Sequence, residues 1–84
     1  MQITDVRIKK VEGEGNKVRA VASVTFDNVF VVHGLRVIQG TENLFVVMPS
    51  KKTPTGEFKD IAHPLEQSMR DLIESKVLEE YNKL

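Results

Sequence analysis

The chain has 84 residues, no cysteine, and 12 basic residues against 12 acidic ones for a formal net charge of zero. That length is expected to form one domain, residues 1–84, with a modest core. The lack of cysteine excludes disulfides, thiolate zinc sites and a thiol nucleophile. Electroneutrality argues against a general polyanion binder, although binding also depends on where the charges lie.

The first ten residues, MQITDVRIKK, contain no continuous apolar stretch of the kind a signal peptide requires, and no run approaches bilayer-spanning length. A cytoplasmic protein is the expectation. From Ile3 to Val11 apolar and charged residues alternate, Val6 and Ile8 against Arg7 and Lys9, which predicts a strand with one wet face. Glu12 to Asn16 contains two glycines and an asparagine and reads as a turn. Lys17 to Phe26 predicts a second strand, with Val18, Ala20, Ala22, Val24 and Phe26 on one face. Asp27-Asn28 tolerates positive φ and predicts a tight hairpin.

Val29 to Ile38 and Leu44 to Met48 predict third and fourth strands that are apolar on both faces. In the third, strict alternation places Val29, Val31, Leu35 and Val37 on one side and Phe30, Val32 and Ile38 on the other. Thr53 to Gly56 fits a type I turn, with Pro54 second and Gly56 fourth, so Glu57 to Ile61 is expected to pair back on the fourth strand. Strands therefore occupy roughly residues 2–61.

Pro64 suits a first helical position and Glu66 the third, which predicts a helix over about 64–82. Its stripe is Leu65, Met69, Ile73, Val77 and Tyr81, widened by Leu72 and Leu84. Glu66–Arg70 and Glu79–Lys83 are spaced as i,i+4 pairs. The predicted architecture is α+β: an antiparallel sheet of about five strands followed by one C-terminal helix. One helix covers one sheet face. Leaving Phe30, Val32, Phe45 and Val47 bare on the other predicts a homodimer.

Few residues suggest chemistry. His33 has no second histidine at ligand spacing, so a structural role is favoured and no metal or cofactor is expected. Asp60 and His63 are three apart, but no nucleophile elbow accompanies them, and a tie between hairpin and helix start is the simpler reading. The stretch MPSKKTPTGEFKDIAHP is different. Lys51, Lys52 and Lys59 share one hairpin, and Arg70 lies on the polar side of the adjoining helix. Such a basic tip suits phosphate, and three contacts per subunit of a dimer imply a log–log salt slope of roughly −5 on B-DNA. Few aromatics are free for base stacking, and the acidic helix face opposes binding to anionic lipid.

The segments ITDVRI, LFVVMPSKKTPTGEFKDIAHP and VLEEYNKL resemble the SpoVG family, the stage V sporulation protein G group, over nearly the whole chain. The resemblance implies a small bacterial cytoplasmic dimer, a regulator that binds DNA and in some cases RNA and that influences septum formation and sporulation. It implies nucleic-acid contacts at Lys51, Lys52, Lys59 and Arg70. Lys52 and Lys59 stand where the family commonly has arginine. Lysine neutralises phosphate without offering guanine a bidentate fork. The resulting expectation is a non-enzymatic dimeric regulator with no small-molecule substrate. The alternative is a protein-interaction module that acts on the division or sporulation machinery without nucleic acid.

Overall fold

The computed structural model describes residues 1–11 and 17–84, so the turn expected at 12–16 lies outside the described residues. Four antiparallel strands form a meander: β1 (Ile3–Lys10), β2 (Val18–Phe26), β3 (Phe30–Gln39) and β4 (Leu44–Val47), in the order β1-β2-β3-β4. A separate two-stranded sheet, β5 (Ser50–Lys52) and β6 (Phe58–Asp60), follows, and α1 (Gln67–Asn82) ends the chain. The fold is α+β, as the residue pattern predicts.

The alternation in β2 does what its sequence implies. Ala20, Ala22, Val24 and Phe26 are buried, and Leu35, Val37, Val46 and Met48 join them from β3, β4 and the residue that follows. Ile73 and Val77 of α1 close the core from above, with Met69, Leu78 and Tyr81 packed at its rim. Burying one such aliphatic side chain contributes about 1.5–3 kcal/mol. The helix lies across β1, β2 and β4. Its far end is tied to β1 by the Lys10 ammonium, 5.8 Å from the Tyr81 ring centroid. Asp27 and Asn28 sit at φ 51° and 56°, and the Val29 N–H donates to the Phe26 carbonyl at 3.0 Å, the tight hairpin expected there. The Asp27 carboxylate accepts from the Gln2 N–H at 2.9 Å, which stitches this turn to the start of the chain.

Strict alternation fails in β3. Val24 faces Val32 while Ala22 faces Leu35, so two steps along β2 match three along β3. The extra residue is a β-bulge, with Gly34 at φ 88°. Side chains change parity there. Phe30 and Val32 share the helix-covered side with Leu35 and Val37, whereas Val31, His33, Arg36 and Ile38 face outward. The predicted faces of this strand are therefore corrected. Phe30 and Val32 are separated from Phe45 and Val47, which stand on the outer face opposite Ile38 and Arg36.

Two further expectations are revised. Glu57 to Ile61 does not pair with the fourth strand; its β6 core pairs with Ser50–Lys52 instead. Pro49 lies between β4 and β5 and has no N–H to extend the ladder, so the chain leaves the four-stranded sheet there. The helix begins at Gln67, not Pro64. Glu66 is the N-cap, in extended conformation at φ −118° and ψ 141°. Ala62 and Pro64 are instead half-buried, and both line a cleft beside Phe26, Phe30, Met48 and Met69. Packing of that segment against the sheet overrides the local start signal, and Leu65, expected in the helical stripe, is 92% exposed. Among the expected helix pairs, Glu79–Lys83 forms at 3.9 Å, joined by Glu80–Lys83 at 3.2 Å. Glu66 receives a 3.5 Å hydrogen bond from the Ser68 hydroxyl rather than an ion pair from Arg70.

Candidate nucleic-acid interface

The hairpin that carries the lysines is built locally. Gly56 donates its N–H to the Thr53 carbonyl at 2.9 Å and adopts φ 90°, the conformation a glycine takes without strain. The Thr53 N–H donates to the Glu57 carbonyl at 2.7 Å, and the Glu57 N–H donates to the Thr53 hydroxyl at 3.2 Å. At the base, the Ile61 N–H reaches the Pro49 carbonyl at 2.7 Å. Five residues, Thr53 to Glu57, separate the two short strands, and backbone bonds close both ends of the ladder.

Register then decides where the cations point. Lys51 is directly opposite Lys59, Lys52 is opposite Phe58, and Ser50 is opposite Asp60. Lys51 and Lys59 therefore share one face of the ribbon, while Lys52 shares the other with Phe58. All three lysines are exposed, and among the described residues none forms an ion pair. Like charges opposite one another in an antiparallel ladder oppose pairing. The register brings the two lysine Cβ atoms to about 5 Å, so their charges share one face of the ribbon. A divalent or bridging anion relieves their repulsion.

Arg70 sits in the first turn of α1, on a different element, half-buried and without an ion-pair partner among the described residues. Six residues, Ile61 to Glu66, connect it to β6. The helix N-terminus beside it has no side-chain cap. The sequence reading thus groups four cations. The fold opposes two of them, turns the third to the other side of the ribbon and places the fourth at the helix start.

The remaining candidates settle into structural roles. His33 Nδ1 lies 2.7 Å from the Ser23 hydroxyl on the outer sheet face. His63 Nδ1 lies 3.2 Å from the Pro64 carbonyl, and no hydrogen bond joins it to Asp60, so the expected tie between hairpin and helix does not form. Among the described residues no group of three or more His, Cys, Asp or Glu side chains is arranged to hold a metal. Among the same residues no helix is long and apolar enough to cross a membrane.

One cationic surface escapes the sequence reading. Lys9 and Arg36 both flank Val21 in register on the outer face, and Arg7 stands beside Ser23 in the neighbouring row. Arg36 faces outward because Leu35 and Val37 on either side of it are buried, and the parity change at Gly34 adds Val31 and His33 to this side. A glycine inside an otherwise apolar strand is the signal that would have marked the bulge.

A four-stranded meander under one helix, with a detached two-stranded basic ribbon between them in the chain, defines a small α+β protein. The family model SpoVG matches residues 1–83, and the chain belongs to the SpoVG family. It is 58% identical over 81 residues to a protein of Caldicellulosiruptor saccharolyticus, covering 96% of this chain and 91% of that one. It is 60% identical over 84 residues to a protein of Clostridium acetobutylicum, covering 100% of this chain and 87% of the relative. A Clostridium perfringens relative is 56% identical over 84 residues. All three carry the name "Putative septation protein SpoVG".

Proposed function

We propose that this chain is a homodimeric, non-enzymatic regulator of septum formation and sporulation that acts by binding nucleic acid, with Lys51, Lys52, Lys59 and Arg70 as phosphate contacts. The role in septation follows the names of its relatives. What carries the nucleic-acid reading is the Lys51–Lys59 pair, two exposed ammonium groups in direct cross-strand opposition with no carboxylate paired to either among the described residues. Phosphate neutralises such a pair and releases condensed counterions, so binding adds a strong salt-dependent term.

The dimer reading is supported by apolar surface that one copy leaves bare. Phe30 is 61% exposed and Ile61 67% exposed, beside an open apolar cleft of about 150 Å³ lined by Phe26, Met48, Pro64 and Met69. A second copy that covers this cleft doubles the basic ribbons on one particle.

Mobility-shift titration of the Lys51→Ala/Lys52→Ala variant tests the assignment. Affinity should fall with the dimer mass unchanged in light scattering. Equal affinity of variant and parent at low salt would remove the pair from the site, and a parent that binds neither DNA nor RNA would end the reading. Docking on a protein partner, by contrast, should survive added salt.

A further inference from the structure

The molecule is neutral as a whole but polar across its sheet. On the helix side the solvent-facing carboxylates are Glu66, Asp71, Glu74, Glu79 and Glu80, against Lys10, Arg70, Lys76 and Lys83. On the outer face of the four-stranded sheet the order reverses. Arg7, Lys9 and Arg36 project there with His33, and the carboxylate beside them, Asp5, is held by Arg7 at 3.0 Å. Among the described residues Lys9 and Arg36 have no ion-pair partner. Between and beside these cations lie Val21, Ile38, Val47 and Phe45, the last 40% exposed.

We infer that this outer face is a second nucleic-acid surface, one that takes an extended single strand, with phosphates on Lys9, Arg7 and Arg36 and bases against Val21, Val47 and the Phe45 ring. The inference rests on the nucleic-acid reading above and deepens it. Three features select the occupant. Charge complementarity demands a polyanion. The face is a broad sheet with no projecting element among the described residues to enter a duplex groove, whereas unstacked bases lie readily on open sheet surface that offers apolar and aromatic side chains. Spacing also fits a chain of phosphates. Arg7 and Lys9 are two residues apart along β1, about 7 Å, and Arg36 lies two strands across, about 10 Å.

The surface is also continuous with the ribbon. Arg36 pairs with Val47, and four residues later the chain reaches Lys51, within about 14 Å. Stacking two such faces in a dimer would bring Lys9 and Arg36 against their own copies, which disfavours this face as the subunit interface.

The test compares three proteins: parent, ribbon variant Lys51→Gln/Lys59→Gln, and face variant Lys9→Gln/Arg36→Gln. Each is titrated with a labelled single-stranded oligonucleotide and with a duplex of equal length, between about 50 and 200 mM salt. Two lost contacts reduce the single-strand slope by about 1.4 per bound protomer, so over this range the parent should lose about sevenfold more affinity than the face variant. The face variant should bind single strands more weakly at low salt and keep its duplex affinity. Unchanged single-strand affinity in the face variant, with weakened binding in the ribbon variant, would overturn this inference and leave the ribbon assignment standing. Equal losses on duplex and single strand would overturn the single-strand assignment. A face variant whose mass departs from the parent's would identify the face as a subunit contact and overturn the inference. A parent that binds neither nucleic acid would remove both readings together.

Discussion

The substitution Lys51→Glu separates stability from function. It turns a like-charge cross-strand pair into an opposite-charge pair, a carboxylate facing the Lys59 ammonium. Cross-strand pairs are worth roughly 0.2–1 kcal/mol each, and opposed like charges carry a penalty, so the swing in hairpin stability is about 0.5–1 kcal/mol at low salt. Both native side chains are exposed, which places the effect at the lower end of that range. For a domain of this size about 0.5 kcal/mol raises the melting temperature by roughly 2–4 °C if ribbon and sheet unfold together. The backbone link from Ile61 to Pro49 couples the ribbon to the end of β4. Nucleic-acid affinity should fall at the same time, since each protomer loses a phosphate contact and gains a repulsive charge. The assay pairs thermal unfolding and amide exchange at position 51 and at Lys59 with a binding titration, each at low and high salt. Stabilisation should shrink as salt rises. A variant that melts lower than the parent and exchanges faster at low salt would mean that the two side chains do not oppose each other as the register places them.

Three further outcomes follow from the fold. Gly34→Ala puts a Cβ on a residue at φ 88°, 3.3 Å from the Pro49 Cβ, and should cost about 1–2 kcal/mol by denaturant unfolding. Gly40→Ala should be destabilising too, since its Cβ would meet the Asn43 carbonyl at 2.9 Å and the Phe45 ring at 3.1 Å; a neutral result would mean that this turn relaxes freely. Val77 is fully buried between α1 and the sheet, so Val77→Ala should lower unfolding free energy by about 1–3 kcal/mol while the ribbon lysines retain their contacts in a binding assay.

Much of this architecture is legible in the residues, and the misreadings share a cause. β2 is correct because its period-two pattern is unbroken and one face is buried. The Asp27-Asn28 turn is correct because its two residues suit positive φ. β3 is wrong in parity because one inserted residue at His33–Gly34 exchanges the faces of everything before it, and apolar residues on both sides hide the slip. The helix start is early because Pro64 and Glu66 satisfy a local rule that burial of Ala62 and Pro64 overrides. At the site the sequence groups the lysines by proximity along the chain. Only the register shows that Lys51 opposes Lys59 and that Lys52 points away. Lys9 and Arg36, 27 positions apart in the chain, become neighbours of the same valine only through pairing.

Phosphate contact by the lysine ribbon is read out by the salt dependence of binding. With Lys51, Lys52, Lys59 and Arg70 contacting phosphate in both protomers, log affinity for duplex DNA should fall against log salt with a slope of about −7. The Lys51→Gln/Lys52→Gln/Lys59→Gln variant should lose most of that slope at unchanged dimer mass. A parent slope near zero, or a steep slope that the triple variant retains, would mean that the ribbon lysines do not hold phosphate.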